Sequence, residues 1–128
     1  MSDTPTPRIL RFRDQATTGE PGGPAPDRVL RGRPSSLTRN HHTDTTGQFF
    51  SGEWTAEDGA WRVVYAPHEE EFCLLLEGRV TLTGVDGHRT ELSAGDAFVV
   101  PGGFEGTWEN HGRVRKLYAI MALKETSA

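Results

Sequence analysis

The sequence predicts an all-β domain built as an antiparallel β-sandwich or barrel, and three observations lead to this prediction. From Gly47 onward, short apolar runs rich in Val, Phe, Leu, Thr, Trp and Tyr alternate with turn residues. The interruptions include turn-forming dipeptides such as Asp58-Gly59 and Asp86-Gly87. No helical period separates the runs, so the strands must pair antiparallel and close or stack to bury their apolar faces.

Eight short segments are predicted as strands because each combines β-branched or aromatic residues with flanking turn signals. In chain order they are QFFSGEW, AWRVVYA, EFCLLLEG, RVTLTGV, RTELSA, AFVVP, EGTWEN and VRKLYAIMAL. The fourth and fifth strands predict a hairpin around Asp86-Gly87. Chain reversals are expected at four glycines, which adopt positive φ without steric cost: Gly78, Gly87, Gly95 and Gly103. Asp96 is interpreted as the carboxylate that closes the turn at Gly95.

The N-terminal third lacks this pattern. RILRFR alternates apolar and basic residues and predicts a short strand, whereas DQATTGEPGGPAPD is rich in Gly, Pro and Thr and predicts an exposed linker. The following stretch, VLRGRPSSLTRNHHTDTTG, is polar and is expected to be irregular and to lie across the domain after it. The predicted division is an N-terminal arm and linker over residues 1–46, a β domain over residues 47–123 and a tail over residues 124–128.

Composition narrows the classes of partner and compartment. A chain of 128 residues suits one domain, and a net charge of −4 with 14 scattered Lys and Arg residues predicts no nucleic-acid partner. The single cysteine, Cys73, excludes an internal disulfide and favours the reducing cytoplasm. MSDTPTPRIL carries no apolar core of a signal peptide, and no run approaches the roughly 18 apolar residues of a membrane span, so we expect no membrane association.

Two spaced patterns point to a known family. Residues 59–78 carry Gly-x5-Tyr-x-Pro-x3-Glu-x6-Gly, which resembles the first sequence box of the cupin superfamily, Gly-x5-His-x-His-x3-Glu-x6-Gly. Residues 95–110 carry Gly-x5-Pro-x-Gly-x2-Gly-x3-Asn, which resembles the second box, Gly-x5-Pro-x-Gly-x2-His-x3-Asn. The resemblance implies the cupin fold, a double-stranded β-helix or jelly roll.

A closer resemblance covers roughly residues 47 to 122. The phrases GAWRVVY, EEFCLLLEGRVTLTGVDG, AGDAFVVPGGFEGTWE and VRKLY are similar to the branch of small cupins that includes the C-terminal part of EutQ proteins and, more distantly, ureidoglycine aminohydrolase. The fold hosts isomerases, cyclases, lyases and hydrolases, so the resemblance does not name a reaction.

The boxes also show which residues occupy the four metal-ligand positions of the family. Metal-binding cupins usually present three imidazoles and one carboxylate, and the three imidazole positions here hold Tyr65, Pro67 and Gly106. Only the carboxylate position keeps its residue type, as Glu71. We therefore expect neither the ordinary metal site nor another cofactor. Whether three histidines outside the boxes supply a different metal site is left open: His41, His42 and His68.

The box positions imply an inward-facing set of side chains, which strand alternation extends. Tyr65 and Glu71 face inward by their box positions, and Lys116 shares a face with Tyr118. The resemblance implies that the face with Lys116 and Tyr118 points into the cavity. The candidate catalytic residues are Glu71, Lys116, Tyr65 and Tyr118. The candidate ligand-binding residues are Trp61, Trp108, Cys73 and Gly106, where the missing side chain is expected to add room.

Three functions remain open. In the first, the barrel binds and transforms a small polar metabolite without a metal, with Glu71 and Lys116 as acid, base or anchoring groups. In the second it only binds a small molecule, and in the third it is a metal-dependent enzyme with atypical ligands. The aromatic residues also suit a plain core, and Glu71 with Lys116 also suits a structural ion pair. We expect a homodimer, because sandwiches expose sheet edges that RILRFR is suited to cover.

Overall fold

The structure, a computed structural model, describes residues 6–124 and contains nine β-strands and no α-helix in that range. The strands are β1 Glu20–Gly22, β2 Val29–Gly32, β3 Ser36–Thr43, β4 Phe49–Ala56, β5 Gly59–Val64, β6 Glu69–Gly84, β7 Arg89–Ser93, β8 Ala97–Val100 and β9 Glu105–Ala122. Every pairing between them is antiparallel, which confirms the predicted all-β class. None of the helical turns in this part of the chain has the length and apolarity needed to cross a membrane.

The strands form two facing sheets that share β6 and β9. The first half of β6 pairs with β8 and with the second half of β9, which continues through β4 and β3 to β1. The second half of β6 pairs with β7 and with the first half of β9, which continues through β5 to β2. This arrangement is the predicted jelly roll.

Two glycines bend the shared strands from one sheet into the other. Gly78 in β6 has φ +90° and Gly112 in β9 has φ +85°, values that other residues rarely adopt. The predicted strands on either side of these glycines are therefore halves of single long strands, and the eight predicted strands become six. The expected reversal at Gly78 is wrong, because the strand bends there and continues. Gly87, Gly95 and Gly103 do lie in connections between strands.

The turn before β8 is closed as predicted. The Asp96 carboxylate accepts a hydrogen bond from the backbone N–H of Ser93 at 2.8 Å, and the Asp96 N–H donates to the Ser93 carbonyl at 2.9 Å. Both bonds stabilise the reversal at Gly95.

The N-terminal third departs from prediction in two places. The stretch expected to be irregular contains β2 and β3, which pair with β5 and β4, because polar strands are stable in an antiparallel sheet when only one face is buried. RILRFR forms no strand in the structure, since Ile9 is 95% exposed and Phe12–Asp14 is a 3₁₀ turn. Residues 14–27 are mainly exposed, as expected, although β1 lies among them. The predictions for residues 1–5 and 125–128 lie outside the described residues.

A compact core lies between the sheets and positions the site. Its buried members come from both sheets and are Trp61, Cys73, Leu75, Val80, Leu82, Leu92, Val100, Trp108 and Val114. Trp54, Val63 and Tyr65 pack against this cluster while remaining partly exposed, and they mark the border between the core and a cavity.

Candidate functional site

A cavity of about 480 Å³ lies between the two sheets and opens to solvent. Its walls come from β3, β4, β5, β6 and β9 and are mostly aromatic and aliphatic. The lining residues are Thr38, Asn40, Phe50, Trp54, Trp61, Val63, Tyr65, Glu71, Trp108, Lys116, Tyr118 and Ile120. All three tryptophans of the chain belong to this set.

Strand alternation explains why these side chains meet. In β9, Lys116, Tyr118 and Ile120 are two residues apart and therefore share one face of the strand, which pairs with β4 on one edge and with the first half of β6 on the other. In the other sheet, Trp61 on β5 is the direct cross-strand partner of Trp108 on β9. The bend at Gly112 allows one strand to supply both Trp108 and Lys116 to the same interior.

The polar centre of the cavity is a triad of Tyr65, Glu71 and Lys116. The Lys116 Nζ donates to Glu71 Oε2 at 2.9 Å, and the Tyr65 hydroxyl donates to Glu71 Oε1 at 2.6 Å. The side chains of Glu71 and Lys116 are each only 6% exposed. Both carboxylate oxygens therefore have a protein donor, as a buried carboxylate requires.

The electrostatics of the triad keep the pair ionised. Burial by itself raises the pKa of Glu71, but the charge of Lys116 and the hydrogen bond from Tyr65 together hold this pKa below its usual value. Burial by itself lowers the pKa of Lys116, whereas the Glu71 carboxylate raises this pKa above its usual value. At neutral pH the site therefore contains a carboxylate and an ammonium.

The neighbouring phenols and thiol stay protonated. Burial and then the charge of Glu71 raise the pKa of Tyr65 well above its usual range. The same two causes raise the pKa of Tyr118 to about 12. The pKa of Cys73 is raised to about 12, chiefly by burial. None of these groups is an anionic nucleophile or a base at neutral pH.

The ammonium of Lys116 lies between two indole rings. Its Nζ is 4.4 Å from the ring centroid of Trp108 and 4.6 Å from that of Trp54. Trp61 stacks on Trp108 with ring centroids 6.2 Å apart and planes inclined by 19°. The negative faces of the indoles stabilise the ammonium in addition to Glu71.

Tyr118 lies outside the triad and has a different hydrogen-bond partner. Its hydroxyl donates to Asn40 Oδ1 at 2.7 Å rather than to Glu71. The Asn40 amide in turn donates to Thr43 Oγ1 at 2.8 Å. Tyr118 therefore lines the cavity as part of a second polar pair, separate from the triad.

Two of the predicted ligand-binding residues do not line the cavity. A Cβ added to Gly106 would collide with the carbonyl oxygen of Thr83, so this position faces the backbone of β6 and adds no room. Cys73 is fully buried in the core, against the two charged groups of the triad. The structure therefore places Cys73 in the core beside the triad and Gly106 against the backbone of β6, and contact of either residue with a ligand stays a prediction.

The donor set does not fit the metal ion of the family. Of the four box positions, only Glu71 supplies an ionised ligand group, and its oxygens are held by Lys116 and Tyr65. His41 instead contacts Thr17 Oγ1 through Nδ1 at 2.8 Å and packs on Phe12 at a ring distance of 4.7 Å. Within residues 6–124, no three His, Cys, Asp or Glu side chains come together closely enough to hold a metal ion.

Sequence reasoning missed five of the lining residues. Phe50 and Trp54 lie on β4, in phase with each other, so alternation within QFFSGEW was the available signal. Ile120 continues the face of Lys116 and Tyr118 by the same rule. Thr38 and Asn40 belong to the stretch expected to be irregular, whose polar composition gives no alternation signal.

Solved structures resemble this fold over most of the chain. A protein of unknown function of the DUF861 family from Pseudomonas syringae is 26% identical with a TM-score of 0.72, and the match covers 83% of this chain and 45% of that one. The chain thus spans less than half the length of that protein. The putative EutQ of Salmonella typhimurium is 19% identical, covers 70% of this chain and 71% of its own, and has a TM-score of 0.60. The ectoine synthase of P. lautus is 10% identical with a TM-score of 0.63, and the match covers 90% of this chain and 78% of that one.

Sequence comparison agrees with the fold. No curated protein matches the chain. The family model described as the EutQ-like cupin domain matches residues 43–118, more than half of the chain, and includes both boxes and the whole triad. This protein therefore belongs to the EutQ-like cupin domain family.

Proposed function

We propose that this protein binds a small organic molecule in the cavity between its sheets, without a bound metal. The observation that carries the proposal is the cavity itself: about 480 Å³, walled by three tryptophans, with the hydrogen-bonded triad and the pair of Tyr118 and Asn40 as its polar groups. Small-molecule sites are concave and mainly apolar, with few placed polar groups, and their volumes are of this order. The same description fits the ligand cavities of barrels in general, so it supports binding without naming a reaction.

Ligand binding in the cavity is tested with a variant that blocks the cavity and a control variant at the next residue. Ile120→Trp adds bulk to the cavity, whereas Met121→Trp adds the same side chain on the opposite face of β9, where Met121 is 40% exposed. A fragment set screened by ligand-detected NMR, together with metabolites retained from cell extract, should bind the native chain and Met121→Trp but not Ile120→Trp. Equal binding by both variants would place the ligand elsewhere.

Metal independence has a separate measurement. Elemental analysis of the purified and dialysed protein is expected to find no stoichiometric transition metal, because Glu71 is the one ionised ligand group at the four box positions. Stoichiometric Mn, Fe, Ni or Zn would overturn this part of the proposal.

A second candidate function is catalysis by the triad. An ammonium and a phenol beside a ligand stabilise negative charge that develops on an oxygen atom, which is a common form of enzymatic assistance. The triad offers no free base, because the pKa of Glu71 is lowered and both of its oxygens are engaged. The chemistry favoured is therefore polarisation of a carbonyl by Lys116, which has N–H groups beyond the one that Glu71 accepts, while the Tyr65 hydroxyl donates to Glu71 and orients its carboxylate.

Turnover of a retained ligand separates the two candidates. For an enzyme, Lys116→Met lowers kcat by at least about 100-fold while the ligand affinity falls much less. For a binding module, neither the native chain nor the variant converts any ligand that the cavity holds. Lys124→Met removes the other lysine of the chain, at an exposed position, and serves as the control.

The remaining expectations also stand as proposals. A cytoplasmic location rests on the single buried thiol of Cys73, and a homodimer rests on exposed sheet surface. The division into an arm over residues 1–46, a cupin domain over 47–123 and a tail over 124–128 is tested by limited proteolysis, which should cut first within the exposed part of residues 14–27.

A further inference from the structure

The geometry points to an uncharged ligand: a compact molecule with an apolar body and a carbonyl or amide oxygen. This inference rests on the proposed function and names the chemical class that the cavity selects. It follows from three features of the lining, namely its charge, its hydrogen-bonding groups and its walls.

The charges of the cavity are already matched. Glu71 and Lys116 are the only ionic side chains among its described lining residues, and they are paired at 2.9 Å. An anionic ligand at Lys116 would lie beside the Glu71 carboxylate, and a cationic ligand at Glu71 would lie beside the ammonium. In either case the charged ligand loses its hydration and weakens a buried ion pair, which is strongly unfavourable.

The free hydrogen-bonding capacity favours an acceptor on the ligand. Both oxygens of Glu71 accept from protein donors, and the hydroxyls of Tyr65 and Tyr118 donate to Glu71 and Asn40. Lys116 has three N–H donors, and its partners among the described residues are two, Glu71 Oε2 and the thiol of Cys73. A carbonyl oxygen of the ligand therefore finds its best partner at Nζ.

The walls favour a flat or apolar body. Trp61 and Trp108 present stacked rings, and Trp54 stands at 74° to Trp108 with ring centroids 5.8 Å apart. Phe50, Val63 and Ile120 complete the apolar surface. Aromatic walls of this kind contribute to binding through area and ring contacts that do not require charge on the ligand.

Three probes of nearly equal shape isolate charge: benzamide is neutral, benzoate is an anion and benzamidine is a cation. They are kept compact because Arg28, Arg62 and Glu69 line a groove next to the cavity. Dissociation constants are measured at about pH 8, where carboxylates are ionised and lysine is protonated. The native chain is expected to bind benzamide at least about tenfold more tightly than either charged probe.

Variants of the ion pair should change the preference in opposite directions. Glu71→Gln leaves a net positive cavity and should make benzoate the tightest probe, while Lys116→Met should favour benzamidine. The double variant is neutral again and should return the preference to benzamide, even if it is less stable. Glu91→Gln and Lys124→Met make the same changes of net charge at exposed positions and should keep the native order.

The outcomes distinguish this inference from the proposed function. Native binding of benzoate or benzamidine as tight as that of benzamide would overturn the inference, and so would a preference that stays unchanged in both single variants. Binding of none of the three probes would also overturn it. The proposed function survives these results if fragments of another class are still blocked by Ile120→Trp, and fails if no fragment is.

Discussion

At the position where metal-binding cupins carry a ligand carboxylate, Glu71 is held by the ammonium of Lys116 and the phenol of Tyr65. The neighbouring box positions supply one phenol, the proline ring of Pro67 and Gly106, none of which replaces an imidazole. A buried carboxylate needs compensation, and the ammonium of Lys116 on β9 supplies it. The compensation therefore depends on a residue outside both boxes.

The ion pair makes the stability of the protein depend on pH at both ends of the scale. The pKa of Glu71 lies below its ordinary 4.5, so its contribution is complete above that pH and is lost as pH falls through the folded value. The pKa of Lys116 lies above its ordinary 10.5, so its contribution is complete below that pH and is lost as pH rises through the folded value. Denaturant unfolding should show a plateau between these limits.

Single variants give the size of this effect. Glu71→Gln or Lys116→Met should each lower the free energy of unfolding by about 3–5 kcal/mol near neutral pH, because each leaves the partner charge buried. The double variant should lose less than the sum of the two and should have a flatter pH profile. Additive losses would show that the two groups do not interact.

Cys73 should be inert while the protein is folded. Its side chain is fully buried and its pKa is raised to about 12, so the reactive thiolate is scarce at ordinary pH. Alkylation by iodoacetamide at about pH 8 should proceed only as fast as the chain unfolds, and should become fast in denaturant. Rapid labelling under native conditions would contradict the buried position.

Individual side chains were predictable where alternation started from a fixed point. The boxes anchored Tyr65 and Gly106, and counting by twos along the strands led from Tyr65 to Trp61 and from Gly106 to Trp108. Trp54 had no such anchor, because its strand precedes the boxes. The partner of Tyr118 was out of reach of any local rule, since Asn40 lies 78 residues away in sequence.

At the scale of elements, the sequence predicted strands well and their continuity poorly. Turn signals marked Gly87, Gly95 and Gly103 correctly, but the same signal at Gly78 marks a bend inside β6. Local propensity does not tell a reversal from a bend, because both need positive φ. The polar strand β3 was missed for a related reason, since its stability comes from pairing with β4 and not from its own composition.

The close approach of β6 and β9 at their paired glycines predicts different energetic costs for two substitutions. Gly106 and Gly84 are cross-strand partners, yet a Cβ on Gly106 meets the Thr83 carbonyl whereas one on Gly84 meets side-chain atoms of Asp86 and Phe104 at 3.0 and 3.9 Å. Gly106→Ala should lower the free energy of unfolding by about 1–3 kcal/mol or more, since the backbone must move. Gly84→Ala should stay within about 0.5 kcal/mol of the native value. Thermal melts of the two variants check this prediction. Equal losses of stability would contradict the close approach of the strands at Gly106.

At the scale of the whole molecule, one outer sheet surface suits self-association. Phe72 is 47% exposed and is the cross-strand partner of Val99, which is 55% exposed, and Met121 on β9 adds to the same surface. Contiguous apolar side chains on an outer face indicate an interaction surface. This surface, on β6, β8 and β9, supports the proposed homodimer better than the RILRFR arm does.

Light scattering tests the dimer and its surface together. The native chain is expected to be dimeric at micromolar concentration, and Phe72→Glu or Val99→Glu should make it monomeric. Val85→Glu changes an apolar residue that is 80% exposed in the β6–β7 connection, away from this surface, and should remain dimeric. A monomeric native chain would contradict the proposal, and deletion of residues 1–13 shows whether the arm contributes.

The sharing of β6 and β9 has a consequence for the order in which the chain can fold as it is synthesised. β9 is 18 residues long and pairs with β4, β5 and β6, so both sheets lack a central strand until it has left the ribosome. Up to that point β3 and β4 can pair locally, but β5 and β6 each lack the hydrogen-bonded strand along one edge. Because pairs such as Glu69 with Ala122 join distant parts of the chain, assembly is a late and collective event. A nascent chain that stalls before β9 would therefore present exposed strand edges to its surroundings and depend on chaperones until synthesis resumes.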